Sequence, residues 1–218
     1  AAGIGAALLW AGPLPAPAQS AGPAARDALE AEQIAPAYAE YRAGAIAAAA
    51  ARFEALARAG NRLAQFNLAV LHVRGEIAHP DPARALALLQ QAADQGLGSA
   101  MYALGEVYEA GELAPKDLAA SATWYRRAAD AGQIDAATPA ATAYFLGRGV
   151  ERDYTVAARY YLQAANGGDV GAQYLYASLC EQGLGVPQDR RLARYWYAQA
   201  ARNGDPGAAV KVQELDAE

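Results

Sequence analysis

Two histidines and one cysteine are the residues of this chain best suited to metal ligation, proton transfer or nucleophilic attack. Their positions point away from all three. His72 lies in a column with Tyr108, Tyr144 and Cys180, at intervals of 36 residues. That column faces a partner helix, so His72 reads as a packed core histidine. Cys180 has no histidine within its own stretch to activate it, and reads as a small buried hydrophobe. Being the only cysteine, it permits no intramolecular disulfide. His79 stands beside Pro80 in a loop and reads as solvated. Metal binding needs clustered His, Cys or carboxylate ligands. The recurring aspartates Asp81, Asp117, Asp153 and Asp189 lie 36 residues apart and are better placed to cap helices. No Ser-x-x-Lys occurs, the spacing that sets a serine nucleophile and its base on one helical face. No catalytic residue, metal site or cofactor is expected.

The elements behind these residues come from one period. Gly60, Gly96, Gly132, Gly168 and Gly204 are evenly spaced by 36, as are Ala64, Ala100, Ala136, Ala172 and Ala208. A second glycine recurs at 75, 111, 147 and 183, and Leu88, Trp124, Tyr160 and Trp196 share a column. A fixed period of this length marks a stacked repeat, in which no unit buries its apolar face alone. Each unit predicts a helix A (about 61–73), a five-residue loop and a helix B (about 82–94). Asp81-Pro82 starts B with a capping carboxylate and a proline that surrenders only an orphan donor. Ala85, Leu88, Leu89, Ala92 and Ala93 form its apolar face, and Gly96 ends it. Asn61, Asp169 and Asp205 cap the A helices in register. Ser99 and Asp135 are expected to take that role where Leu97 and Gln133 hold the position. With Asp135 as cap, Pro139 falls at the edge of the first turn and this helix A begins late, loosening the stack locally.

Composition agrees with a helical body. The chain has 218 residues, 54% hydrophobic but only 9% aromatic, and alanine dominates. Alanine favours helix and lets helices approach closely. The net charge of −5 argues against a nucleic-acid ligand, which would call for a basic face. The division reads as a leader (1–22), a degenerate N-terminal helical pair (23–60), four repeats (61–96, 97–132, 133–168, 169–204) and a closing helical segment (205–218). The leader joins a short apolar run, Ala1–Trp10, to Ala16-Pro17-Ala18. This reads as the later part of a secretory signal peptide, or else as a disordered Ala/Pro leader. The first reading places the protein in the periplasm or outside the cell; the second allows the cytoplasm.

The columns Ala100, Leu104, Gly105, Tyr108 and Gly111, then Asp117, then Ser121, Trp124, Ala128, Ala129 and Gly132, resemble the Sel-1-like repeat, a relative of the tetratricopeptide repeat. The family's Gly-x-Gly-Val loop stands at 147–150 and 183–186, and is eroded at 75–78 and 111–114. The resemblance implies an all-α, right-handed α-solenoid acting as a non-catalytic adaptor. Some cysteine-rich bacterial relatives are linked to penicillin binding or β-lactamase activity, but this chain lacks their paired cysteines. An envelope enzyme of that type, or a repeat module of a larger envelope protein, are the alternatives. The resemblance also implies a concave groove lined by A helices. The groove positions are Phe66, Val70 and Arg74, then Ser99, Tyr102, Glu106 and Glu109. They continue with Thr138, Thr142 and Phe145, then Tyr174, Ser178, Glu181 and Gln182. The aromatics among them either anchor a ligand or pack between helices. The three glutamates favour a basic or neutral peptide as partner.

Overall fold

The computed structural model describes residues 23–217, so the expected leader lies outside the described residues. Among the described residues every regular element is helical, and within each of two units the helices pack in chain order. The chain forms two compact units, meeting at Lys116 and Asp117. The first contains α1 (Pro23–Arg42), α2 (Ile46–Arg58), α3 (Arg62–Arg74), α4 (Pro82–Asp94) and α5 (Gly98–Ala110). The second contains α6 (Leu118–Asp130), α7 (Ala137–Leu146), α8 (Tyr154–Asn166), α9 (Val170–Gln182), α10 (Arg190–Arg202) and α11 (Pro206–Ala217). Odd-numbered helices are A helices and even-numbered ones are B helices. The 36-residue helix pair is thus the building block in both units.

Alanine forms the contact surface. Ala64, Ala100, Ala136, Ala172 and Ala208 have no solvent exposure, nor do Ala92, Ala128, Ala164 and Ala200. Larger side chains sit among them at regular places, with Phe53, Leu89, Leu104, Tyr160 and Tyr197 fully buried. Each B helix opens on its aspartate: Asp81 accepts from Arg84 N–H, Asp117 from Ala120 N–H, Asp153 from Val156 N–H and Asp189 from Leu192 N–H. Asn61, Asp169 and Asp205 cap α3, α9 and α11 in the same way.

Two expected caps are not formed. Helix α5 starts at Gly98 with Leu97 at its N-cap, so Ser99 already lies inside the first turn and cannot cap from outside it. Asp135 belongs to a 3₁₀ turn, Ile134–Ala136, and its carboxylate accepts from the Gln133 side-chain amide. Helix α7 does begin late, at Ala137, which puts Pro139 in the first turn where no backbone donor is lost.

The first unit is held by a polar cluster outside the repeat pattern. Arg62, 7% exposed, donates from Nε to Glu30 Oε2 at 2.8 Å and pairs with Asp27. Asn61 Nδ2 donates to the Glu30 carbonyl and to Gln33. These bonds fix α1 to the start of α3. In the other repeats the Arg62 place is Gly98, Ile134, Val170 or Pro206. A buried arginine is tolerated here because two carboxylates meet it.

In the second unit the Gly-x-Gly-Val loops do the locking. Gly149 (φ +73°) lies so close to the first turn of α6 that a Cβ there would overlap the Leu118 carbonyl. Gly185 (φ +72°) meets the Tyr154 carbonyl at the start of α8 in the same manner. Replacing either by alanine therefore combines left-handed strain with a backbone collision. Gly168→Ala, with open space around its Cβ, meets strain alone. We expect Gly168→Ala to cost about 1 kcal/mol and Gly149→Ala or Gly185→Ala clearly more, roughly 3 kcal/mol or above. Urea denaturation of the three variants checks this; equal losses would mean the loops do not bear on the helices.

Candidate functional site

The A-helix positions expected to face a ligand divide into three kinds. In the first unit Phe66 (2% exposed) and Val70 (1%) are core residues, which corrects their assignment to an open groove. The reason is that α3 is packed by α1, α2 and α4 and is buried from Arg62 to His72. Arg74, on the last turn, donates to the Tyr41 hydroxyl at 3.3 Å and lies 3.8 Å from Glu76. Its length keeps the guanidinium half-buried rather than enclosed.

Helix α5 differs, since Tyr102, Glu106 and Glu109 are all half-buried along one side. Glu106 Oε2 has no hydrogen-bond partner. Burial pushes the Glu106 carboxyl up to about 7; the Tyr102 hydroxyl works against that shift and the Glu109 charge adds to it. This face carries a carboxyl that changes its charge near neutral pH.

In the second unit the expected positions are backed by rings from B helices. Thr142 Oγ1 lies 3.1 Å from the Tyr161 hydroxyl and donates to the Thr138 carbonyl. Phe145 meets Tyr154 and Tyr161 edge-on, at 5.4 and 6.2 Å between ring centres. Tyr174 packs edge-on against Tyr197 at 5.1 Å. These aromatics thus rest against B helices, and Tyr174 also lies close to Gly207 of the next A helix, α11. Tyr197 in turn donates to Glu181 Oε2 at 2.7 Å, and Lys211 Nζ lies 3.5 Å from Glu181 Oε1. Gln182 Nε2 donates to Ser178 Oγ at 2.7 Å. Burial raises the hydroxyl pKa of Tyr161 and of Tyr197, with Glu181 reinforcing the shift at Tyr197. The result is a half-exposed edge along α9, aromatic at Tyr174 and polar at Ser178, Glu181 and Gln182. Tyr161, which backs α7, and Tyr197 and Lys211, which organise the α9 edge, went unrecognised at the level of sequence. The signal was available for the tyrosines, since 161 and 197 share a column directly after the Tyr160 and Trp196 column.

The residues with chemical potential are structural. His72 Nδ1 accepts the Asp81 N–H at 3.0 Å, a bond only the unprotonated nitrogen can make. Burial lowers its pKa, and the Arg84 charge lowers it further. Cys180 is fully buried and burial raises its thiol pKa, which disfavours the thiolate. Among the described residues no group of three or more His, Cys, Asp or Glu is placed to hold a metal ion. Among them, too, no helix is long and apolar enough to cross a membrane.

The sequence pattern of the Sel1 repeat matches residues 62–97, 98–133, 137–169 and 170–205. Two solved structures are similar. A Sel1 repeat protein from Oxalobacter formigenes shares 33% identity with a TM-score of 0.69, over 77% of this chain and 49% of that one. A protective antigen of uropathogenic Escherichia coli with an SLR fold shares 26% identity with a TM-score of 0.74, over 88% of this chain and 41% of that one. The chain therefore spans less than half the length of either. Among curated proteins none is significantly similar.

Glu106 supplies a test of the α5 face. Its folded pKa exceeds the ordinary 4.5, so the folded state holds this proton more tightly than the unfolded one. That contribution is complete below 4.5 and is lost as the pH rises through about 7. Glu106→Gln should therefore gain stability over the parent at about pH 8 and little at about pH 5. Chemical denaturation at both pH values measures the difference; an equal gain at each would mean that the carboxyl titrates normally.

Proposed function

Because the chain belongs to the Sel1 repeat family, we propose that it is a non-catalytic scaffold holding a protein or peptide partner on the solvent edges of its A helices. The fold class is typically a protein-interaction scaffold. The observation that carries the reading is the α9 edge. Tyr174 is fixed from behind by Tyr197, so it offers an aromatic surface with little rotamer freedom left to lose on binding. Ser178, Glu181 and Gln182 beside it supply exchangeable hydrogen bonds. Rigid aromatic anchors with a polar surround are the usual composition of an interface centre. In the first unit Tyr102, Glu106 and Glu109 form a second such edge on α5, while Phe66 and Val70 serve packing alone.

The partner we favour is an extended peptide, basic or neutral. Glu109 and Glu181 would repel an acidic one, and Lys211 moderates the second edge. A reactive group is missing from this account for physical reasons: His72 is committed to the Asp81 N–H, and Cys180 is enclosed with its thiolate disfavoured. We place the protein in the periplasm or beyond it, on the strength of the apolar run Ala1–Trp10 and the small residues Ala16 and Ala18.

Capture from a periplasmic extract, using the parent and the single variants Tyr102→Ala and Tyr174→Ala, tests the reading. One protein retained by the parent and reduced about tenfold or more by Tyr174→Ala, with unchanged helicity by circular dichroism, is the expected result. Equal retention by all three would make both tyrosines packing residues and move the partner to another face.

A further inference from the structure

The B helices carry a site of their own in the first unit. A cleft of about 530 Å³ opens between α2 and α4. Its lining joins Ala57, Ala87 and Leu88 to the charged side chains of Glu54, Arg58 and Arg84. The repeat explains why it exists. Leu88 stands in the column that is otherwise Trp124, Tyr160 and Trp196, and Ala87 stands where the chain later has Thr123, Arg159 and Tyr195. The place that holds a buried aromatic ring in the later repeats holds the smaller leucine here.

The second unit displays what fills that space when the large residues are present. Two repeats after Leu88, the Tyr160 ring is wholly buried. Its hydroxyl donates to Asp130 Oδ1 at 2.8 Å, and the Arg159 guanidinium lies over the ring at 4.3 Å. Asp130 occupies the Arg58 place, two repeats on. Ring, carboxylate and guanidinium therefore come together within the chain at that site. In the first unit the ring gives way to Leu88 and a cleft, Arg159 to Ala87, and Asp130 to Arg58, while a further guanidinium, Arg84, comes from the place of Val156.

The charge at the rim is complementary to an acid. Glu54 Oε1 accepts from Arg58 Nε at 2.8 Å and from Arg84 Nη2 at 2.5 Å. One carboxylate thus faces two guanidinium groups, which leaves an excess positive charge. Among the described residues the Nη atoms of Arg58 and the Nε and Nη1 atoms of Arg84 have no hydrogen-bond partner. Glu54 holds the two arginines at the cleft mouth without saturating them.

We propose that this cleft receives an aromatic side chain of a partner peptide, with flanking carboxylates pairing to Arg58 and Arg84. The ring takes the volume that an aromatic side chain takes in later repeats, and the acids pair with the arginine that stands in the place of Asp130. The volume lies within the range of pockets that enclose compact ligands, and charge-assisted pairs to arginine orient what enters. The site lies on the B-helix side and does not depend on the A-helix edges.

The probe is the blocked tripeptide acetyl-Glu-Trp-Glu-amide, titrated into the full chain and followed by amide chemical shifts. The expected result is saturable shifts confined to residues 54–58 and 84–91. Acetyl-Lys-Trp-Lys-amide and acetyl-Glu-Ala-Glu-amide should each bind at least about tenfold more weakly. Leu88→Trp, which restores the residue found at 124 and 196, should fill the cleft and abolish binding. Arg58→Ala with Arg84→Ala should weaken it about tenfold or more while leaving the cleft open. Tyr174→Ala should change nothing, which separates this site from the α9 edge. The proposal is overturned if no saturable shifts occur, if the lysine peptide binds as well, or if folded Leu88→Trp retains the affinity.

Discussion

The alanine that recurs at 64, 100, 136, 172 and 208 has no solvent exposure in any repeat, and it sets the distance at which the helices meet. A methyl group at the crossing point draws two backbones together, and dispersion contacts then accumulate along both helices. A larger side chain there would force the pair apart and misplace everything packed beyond it. The second alanine column, 92 to 200, does the same for the B helices. Capping aspartates and terminating glycines fix helix length, so the alanines of successive units arrive in register. With the backbone framework held constant in this way, the variable positions are free to differ in size and charge.

Those variable positions separate the two units. In the first, α1 is joined to α3 by Arg62, Glu30 and Asp27, an ion cluster that occurs once among the described residues. In the second, tyrosines at 160, 161 and 197 carry their hydroxyls to Asp130, Thr142 and Glu181, so the buried rings are tied at both ends. A repeat frame can thus accept ionic, aromatic or open contents at equivalent places. The cleft between α2 and α4 is the open case.

How much of this could be read from the sequence follows from what is periodic. The helix pairs, the B-helix caps and the buried state of His72 and Cys180 were legible, because each repeats or sits in a repeating column. Ser99 and Asp135 were misread as caps, since a polar residue near a helix start says nothing of where the first turn actually begins. Phe66 and Val70 were placed on an open face by analogy with later repeats, but α3 is packed by α1, α2 and α4 and keeps no open face. Arg62 has no counterpart in any other repeat, so no column drew attention to it. The α9 edge was legible as positions but not as geometry, because the ring that backs Tyr174, Tyr197, comes from α10.

The glycine loops have a consequence for how the protein comes apart. In a linear repeat, stability is a sum of terms within each unit and terms between neighbours. The close seating of Gly149 on α6 and of Gly185 on α8 enlarges the neighbour terms through the second unit. Side chains at Ile77 and Leu113 exclude that approach in the first, where an ion cluster at one end supplies the connection instead. The cooperative length of the chain therefore varies along it. On this basis α6 to α10 are expected to open as a larger cooperative block than α2 to α5.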